Sequence, residues 1–165
     1  MQFLEKYYRL LIRAASSLQT PFLLAVRLYW GWQFMQTGWG KVTSIGKVID
    51  FFTQLGIPAP ALNAYFVSFL EFGGGVLLVL GLGTRLIAVP LVINMLVAYA
   101  TADREALFSI FSSPDKFTGA APYTFLMVSL IVLIFGPGKV SLDALFVRGI
   151  GRGRIAVQRA AEIAR

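Results

Sequence analysis

The chain has 165 residues, 57% hydrophobic and only 14% charged, with a mean hydropathy of +0.72. Globular domains carry about a quarter charged residues. Here the charges are segregated and leave apolar runs of the roughly 20 residues needed to span a bilayer, the composition of an integral membrane protein. Cysteine and histidine are both absent, which excludes disulfides, thiol redox chemistry, Fe–S clusters, His- or Cys-ligated haem and ordinary zinc sites from this chain by itself. No metal site and no covalently bound cofactor are expected; any electron carrier belongs to a partner or is a diffusible quinone. The formal charge of +7 reads as positive-inside topology and attraction to anionic lipid, not as nucleic-acid binding.

Residues 1–19 are expected to form an amphipathic helix at the membrane interface. Leu4, Tyr7, Leu11, Ala14 and Leu18 recur at helical spacing, while Lys6, Arg9 and Arg13 fall elsewhere and do not suit a signal peptide. Thr20-Pro21 then opens a membrane domain, residues 20–147, with spans over about 21–40, 62–82, 86–102 and 122–136. Between the first two spans, Ile45, Val48, Ile49, Phe52 and Leu55 share one helical face, predicting a short interfacial helix that ends at "GIPAP". "GLGTR" is a tight turn that makes spans two and three antiparallel neighbours. A polar connection follows span three, "GPG" closes span four, and Ser141 with Asp143 caps a last short amphipathic helix before a basic tail, residues 148–165. The expected fold is therefore an all-α membrane protein, a four-transmembrane-helix antiparallel bundle with amphipathic interfacial helices at the N-terminus, between helices 1 and 2 and after helix 4.

Placing both termini in the cytoplasm puts Lys6, Arg9, Arg13, Arg85, Lys139 and the five arginines of residues 148–165 on that side, against Glu5, Asp143 and Glu162. The other side balances to zero, as the positive-inside rule predicts for a multi-pass protein of a bacterial or archaeal plasma membrane.

Arg27 and Glu71 are the formal charges well inside the predicted spans, and intramembrane charges mark either a structural pair or a functional site. Three readings stand: an Arg27–Glu71 pair that sets helix register, a site for protons, a quinone or a small anion, and a water-filled crevice. Helical side chains lean toward their own N-termini, which in antiparallel spans draws Arg27 and Glu71 apart. Arg27, Gly31, Phe34, Gly38 and Lys41 fall on one face of span one; Glu71, Gly74 and Gly75 share a face of span two. The glycines read as a helix-packing seam. Asn94 in span three and Ser129 in span four are candidates for a polar core. Trp39 suits the interface belt, whereas Trp30 and Trp32 lie deeper and are candidates for stacking on a ring-shaped ligand. No catalytic residue is identified.

The series Arg27, Phe34, Gly38, Lys41, then "FFTQLGIP", "FLEFGGGVLLVLGLGTR" and "FGPGKVSLDALF", resembles the DoxX family of small bacterial and archaeal membrane proteins over about residues 22–147. The resemblance implies a four-helix membrane bundle and a place beside thiosulfate:quinone oxidoreductase or quinol oxidase activity. It also implies, for some members, complexes with a superoxide dismutase and a sulfurtransferase. Arg27, Lys41 and Glu71 match recurring polar positions. Many relatives have a histidine after span three and an acid entering span four; "ATADREAL" and "GAAPYTFL" have neither. The expected role is an accessory subunit of a membrane redox complex, non-catalytic or contacting a quinone, rather than a stand-alone enzyme. It would sit in the lipid bilayer with protein partners or as a homo-oligomer. The alternatives are a small proton-coupled or small-molecule transporter using Glu71, and a membrane scaffold recruiting soluble stress-response partners.

Overall fold

A computed structural model describes residues 2–147, with side chains from residue 4 onward; the tail expected over 148–165 lies outside the described residues. Every regular element in it is a helix: α1 (Gln2–Thr43), α2 (Ile45–Gln54), α3 (Pro60–Leu80), α4 (Thr84–Thr101), α5 (Arg104–Phe108), α6 (Pro114–Gly119) and α7 (Ala121–Phe135). An eighth, α8, begins at residue 142 and is described to 147. Helices α1, α3, α4 and α7 pack in a closed ring, each against the next, and α2 lies on α3. Two of them, α3 and α4, are long and apolar enough to cross a membrane; α7 is equally apolar but has 15 residues. Exposed Leu28, Phe66, Phe69, Ile93 and Leu96 face outward from the ring, a surface suited to lipid and not to water.

One boundary differs from the sequence expectation. The break placed at Thr20-Pro21, between a helix over 1–19 and a span over 21–40, is absent: α1 runs through Pro21 as one helix of 42 residues. Proline removes one backbone donor, that of its own N–H, and a helix in an apolar setting can continue past it when nearby groups absorb the loss. Residues 4–19 are exposed all round, so this part of α1 extends beyond the ring. The polar connection after α4 folds into α5 and α6, two short helices. The face expected on α2 is present: Ile45, Val48, Ile49, Phe52 and Leu55 are its partly buried positions, and the residues between them are exposed.

The contact between α1 and α3 is set by glycine. A Cβ at Gly38 would lie 2.3 Å from the Phe72 backbone nitrogen, and one at Gly75 would lie 2.5 Å from the Gly31 carbonyl oxygen. Backbones this close leave no room for any side chain, the arrangement by which helices gain packing energy in lipid. Gly74 does not belong to this seam; it faces Leu91 of α4. The same register lifts Lys41 one turn beyond Gly38, toward the N-terminal half of α3, and sets Arg27 beside the α3 C-terminus.

Gly38→Ala should lower the thermal midpoint in detergent, in line with the roughly 1–3 kcal/mol cost of overpacking. Gly73→Ala, where a Cβ meets nothing within 4 Å, should leave it unchanged or raise it. Circular dichroism melts of both variants check this; equal losses would contradict the seam.

Candidate functional site

Glu71 does not meet Arg27. Its counter-charge is Lys41, whose Nζ lies 2.5 Å from both carboxylate oxygens, and Asn94 Nδ2 donates to Oε1 at 3.0 Å. Glu71 is 2% exposed, while the Lys41 side chain keeps about a third of its surface (32%). The lean of helical side chains explains the choice of partner. Lys41, near the C-terminal end of α1, leans back along α1 toward the ring; Glu71, on antiparallel α3, leans toward the same level from the other direction. The rule that separates Arg27 from Glu71 brings Lys41 and Glu71 together. Asn94 closes the group from α4, so the three side chains tie three helices at one point.

This group lies on the wall of a cavity of about 820 Å³ between the α2 end of the ring and α2 itself. Val48, Phe51, Phe52 and Leu55 of α2 contribute one wall; Val67 of α3, Met95 of α4 and Phe125 of α7 contribute others. Its size falls within the roughly 300–1,000 Å³ of small-molecule sites, and an apolar lining with a few convergent polar groups is their usual chemistry. Trp30 and Trp32 are not among its lining residues. Trp30 stands one layer behind, its ring 5.3 Å from that of Phe125, and Trp32 is exposed on the outside of the ring. Ser129 bonds to the Phe125 carbonyl of its own helix and joins no polar core.

Arg27 occupies the opposite end. Only 1% exposed, its guanidinium donates to the carbonyls of Leu78 (3.0 Å), Val79 (3.4 Å), Val140 (3.0 Å) and Pro137. The first two are carbonyls of the last α3 turn, which carries the negative end of the helix dipole; the Leu78 carbonyl also accepts the Gly81 N–H at 3.1 Å. Arginine, with five donors in a planar fork, suits a cluster of carbonyls that a lysine could not span. Gly81, left-handed at φ +68, ends α3 here, and a Cβ on it would strike the guanidinium at 2.7 Å.

Asp143 completes this end, in a role the sequence did not reveal. It accepts from the backbone N–H of Gly83 (2.8 Å) and Thr84 (3.0 Å) and from the Thr84 hydroxyl (3.0 Å), capping the start of α4 from a distant segment. Ser141 caps α8 through the Ala144 N–H, as expected. Burial pushes the Asp143 carboxyl up, but the Thr84 and Gly83 bonds and the Arg27 charge outweigh it and hold it below its ordinary range. Among the described residues no buried side-chain nitrogen or oxygen lacks a hydrogen-bond partner.

The DoxX family model matches residues 22–104. Over 133 residues the chain is 27% identical to a Bacillus subtilis protein named "Putative oxidoreductase CatD", covering 81% of this chain and 92% of that one. It is 33% identical over 135 residues to the "Uncharacterized membrane protein Rv3486" of Mycobacterium tuberculosis, covering 74% of this chain and 80% of that one. No solved structure matches significantly.

The Asp143 cap predicts a pH dependence. With its folded-state pKa below the ordinary value near 3.9, its contribution is complete above that value and is lost as pH falls through the lowered one. Melting midpoints in detergent should fall more steeply for the natural chain than for Asp143→Asn between about pH 5 and pH 3. Parallel curves would contradict the cap.

Proposed function

Because the chain belongs to the DoxX family, we propose that this membrane protein is a quinone-contacting accessory subunit of a membrane redox complex. The single observation that carries the reading is the apolar cavity with Lys41, Glu71 and Asn94 on its wall. The oxidoreductase name of the B. subtilis relative points the same way.

The residues fit an amphipathic ring with carbonyl oxygens. Lys41 has three N–H donors; with Glu71 holding the ammonium on one side, a remaining donor can face the cavity. Asn94 keeps one amide N–H and its carbonyl for a ligand. Phe51, Phe52, Phe125 and Met95 would pack the ring and exclude water. A bound quinone would supply two-electron carrying chemistry, and the chain's part is to seat and orient it. Glu71 acts here as the group that positions Lys41. Arg27, given over to backbone carbonyls at the other end, takes no part in ligand binding.

The fuller membrane reading belongs to the same proposal: α1 beyond Pro21, α3, α4 and α7 form four spans of a bacterial or archaeal plasma membrane, with both termini cytoplasmic. Charge supports it. Arg27, Arg85 and Lys139 gather at the end of the ring opposite α2, while Asp50, Asp103, Glu105 and Asp115 offset the basic residues at the α2 end. Redox partner subunits should copurify from native membranes.

Trp30, one ring behind the cavity wall, is a reporter. In detergent, a short-tailed benzoquinone or naphthoquinone should quench tryptophan emission saturably. Trp30→Phe should remove most of that signal, and Asn94→Leu should raise the Kd about tenfold, or 1.4 kcal/mol. Quenching that never saturates, or that is the same in Asn94→Leu, would overturn the reading.

A further inference from the structure

The second cavity, about 800 Å³, lies at the Asp143 end between α1, the start of α4, the α7 exit and α8. Here "GLGTR" and "FGPGKVSLD", about fifty residues apart, meet. Arg85 lies over Gly136, whose Cβ would come within 3.1 Å of the Arg85 Nε, and its guanidinium donates to the Ile134 carbonyl at 3.2 Å. Lys139 projects from the same loop. Both are exposed lining residues, and among the described residues neither has an ion-pair partner.

The cavity's carboxylate, Asp143, forms an ion pair with neither among the described residues, and two cations against one carboxylate leave the site net positive. Both of its oxygens accept bonds from Gly83 and Thr84. The site therefore offers two cations to an anion, with the hydroxyl and amide side chains of Ser16, Gln19 and Thr20 on the α1 side. Around them stand large apolar side chains open to the surroundings: Leu86 (80% exposed), Phe135 (55%) and Val147 (70%). The level is that of a lipid headgroup. Thr84 begins the membrane helix α4, and Phe135 ends the apolar helix α7.

We propose that this cavity is a binding site for an anionic phospholipid. Arg85 and Lys139 hold the phosphodiester, the polar side chains of α1 meet the headgroup, and Leu86, Phe135 and Val147 line the path of the acyl chains. Basic pockets between membrane helices are the usual seats of anionic headgroups, and the guanidinium supplies the fork geometry that a phosphate matches. The site is independent of the quinone cavity at the other end. It explains why two cations are left without carboxylate partners beside an occupied Asp143.

The test is native mass spectrometry of the full chain from mixed micelles of phosphatidylglycerol and phosphatidylcholine, followed by thermal melts with each lipid. Phosphatidylglycerol should be retained over phosphatidylcholine by about thirtyfold, given roughly 1 kcal/mol for each of the two basic residues near a headgroup, and should alone raise the melting midpoint. Arg85→Gln/Lys139→Gln should lose that preference while melting in phosphatidylcholine like the natural chain. Should the double variant melt lower in phosphatidylcholine, Lys139→Gln alone, whose side chain makes no hydrogen bond among the described residues, should still reduce retention severalfold. Equal retention of the two lipids overturns the proposal. So does displacement of phosphatidylglycerol by inorganic phosphate, which marks a soluble-anion site, or a preference unchanged in the variants, which places it elsewhere on the chain.

Discussion

Everything else in the bundle hangs on the close approach of α1 to α3. Gly38 against Phe72 and Gly75 against Gly31 bring two backbones to a distance that admits no Cβ. Once that contact is made, the axial register of the two helices has no freedom. Lys41 must then stand over Glu71, and Arg27 must stand beside the last turn of α3. In a medium without water, every polar group must find its partner inside the protein. The glycine seam decides which partners are within reach.

Two solutions to one physical problem result, one at each end of the seam. At the α2 end a carboxylate is matched by an ammonium and an amide, and the group borders a cavity. At the other end a guanidinium is hydrogen-bonded by carbonyls, with the Asp143 charge nearby, and the arrangement is closed: Arg27 ties the end of α3 to the α7–α8 connection, and Asp143 ties α8 to the start of α4. The first leaves donors that face open space, whereas the second consumes its donors in holding segments together. This contrast leaves Lys41 and Asn94, and not Arg27, with donors to offer a ligand.

Much of the frame was legible in the sequence, because periodicity and composition report on burial. The partly buried face of α2 matches the predicted one residue for residue, and Gly31, Gly38 and Gly75 announced a close contact. Arg27 and Glu71 were recognisable as buried charges, but their partners were not. A search for formal counter-charges inside the spans overlooks backbone carbonyls, which carry partial charge at every helix end and leave no mark in the sequence. It also overlooks Lys41, because a residue near a helix end counts as interfacial until its side-chain direction is considered. Asp143 had a local explanation, as part of a helix start, and its bonds to Gly83 and Thr84 depend on a tertiary contact across 59 and 60 residues. The continuity of α1 through Pro21 eluded the reading for a related reason: proline weakens a helix locally, and the surroundings decide whether it breaks.

A double-mutant cycle in detergent tests the central claim, that Lys41 and not Arg27 is the counter-charge of Glu71. Glu71→Gln and Lys41→Gln should each destabilise, and the pair together should lose less than the sum, with a coupling of about 1 kcal/mol or more. Glu71→Gln with Arg27→Gln should be additive within about 0.5 kcal/mol. Additivity in the first cycle together with strong coupling in the second would contradict the account.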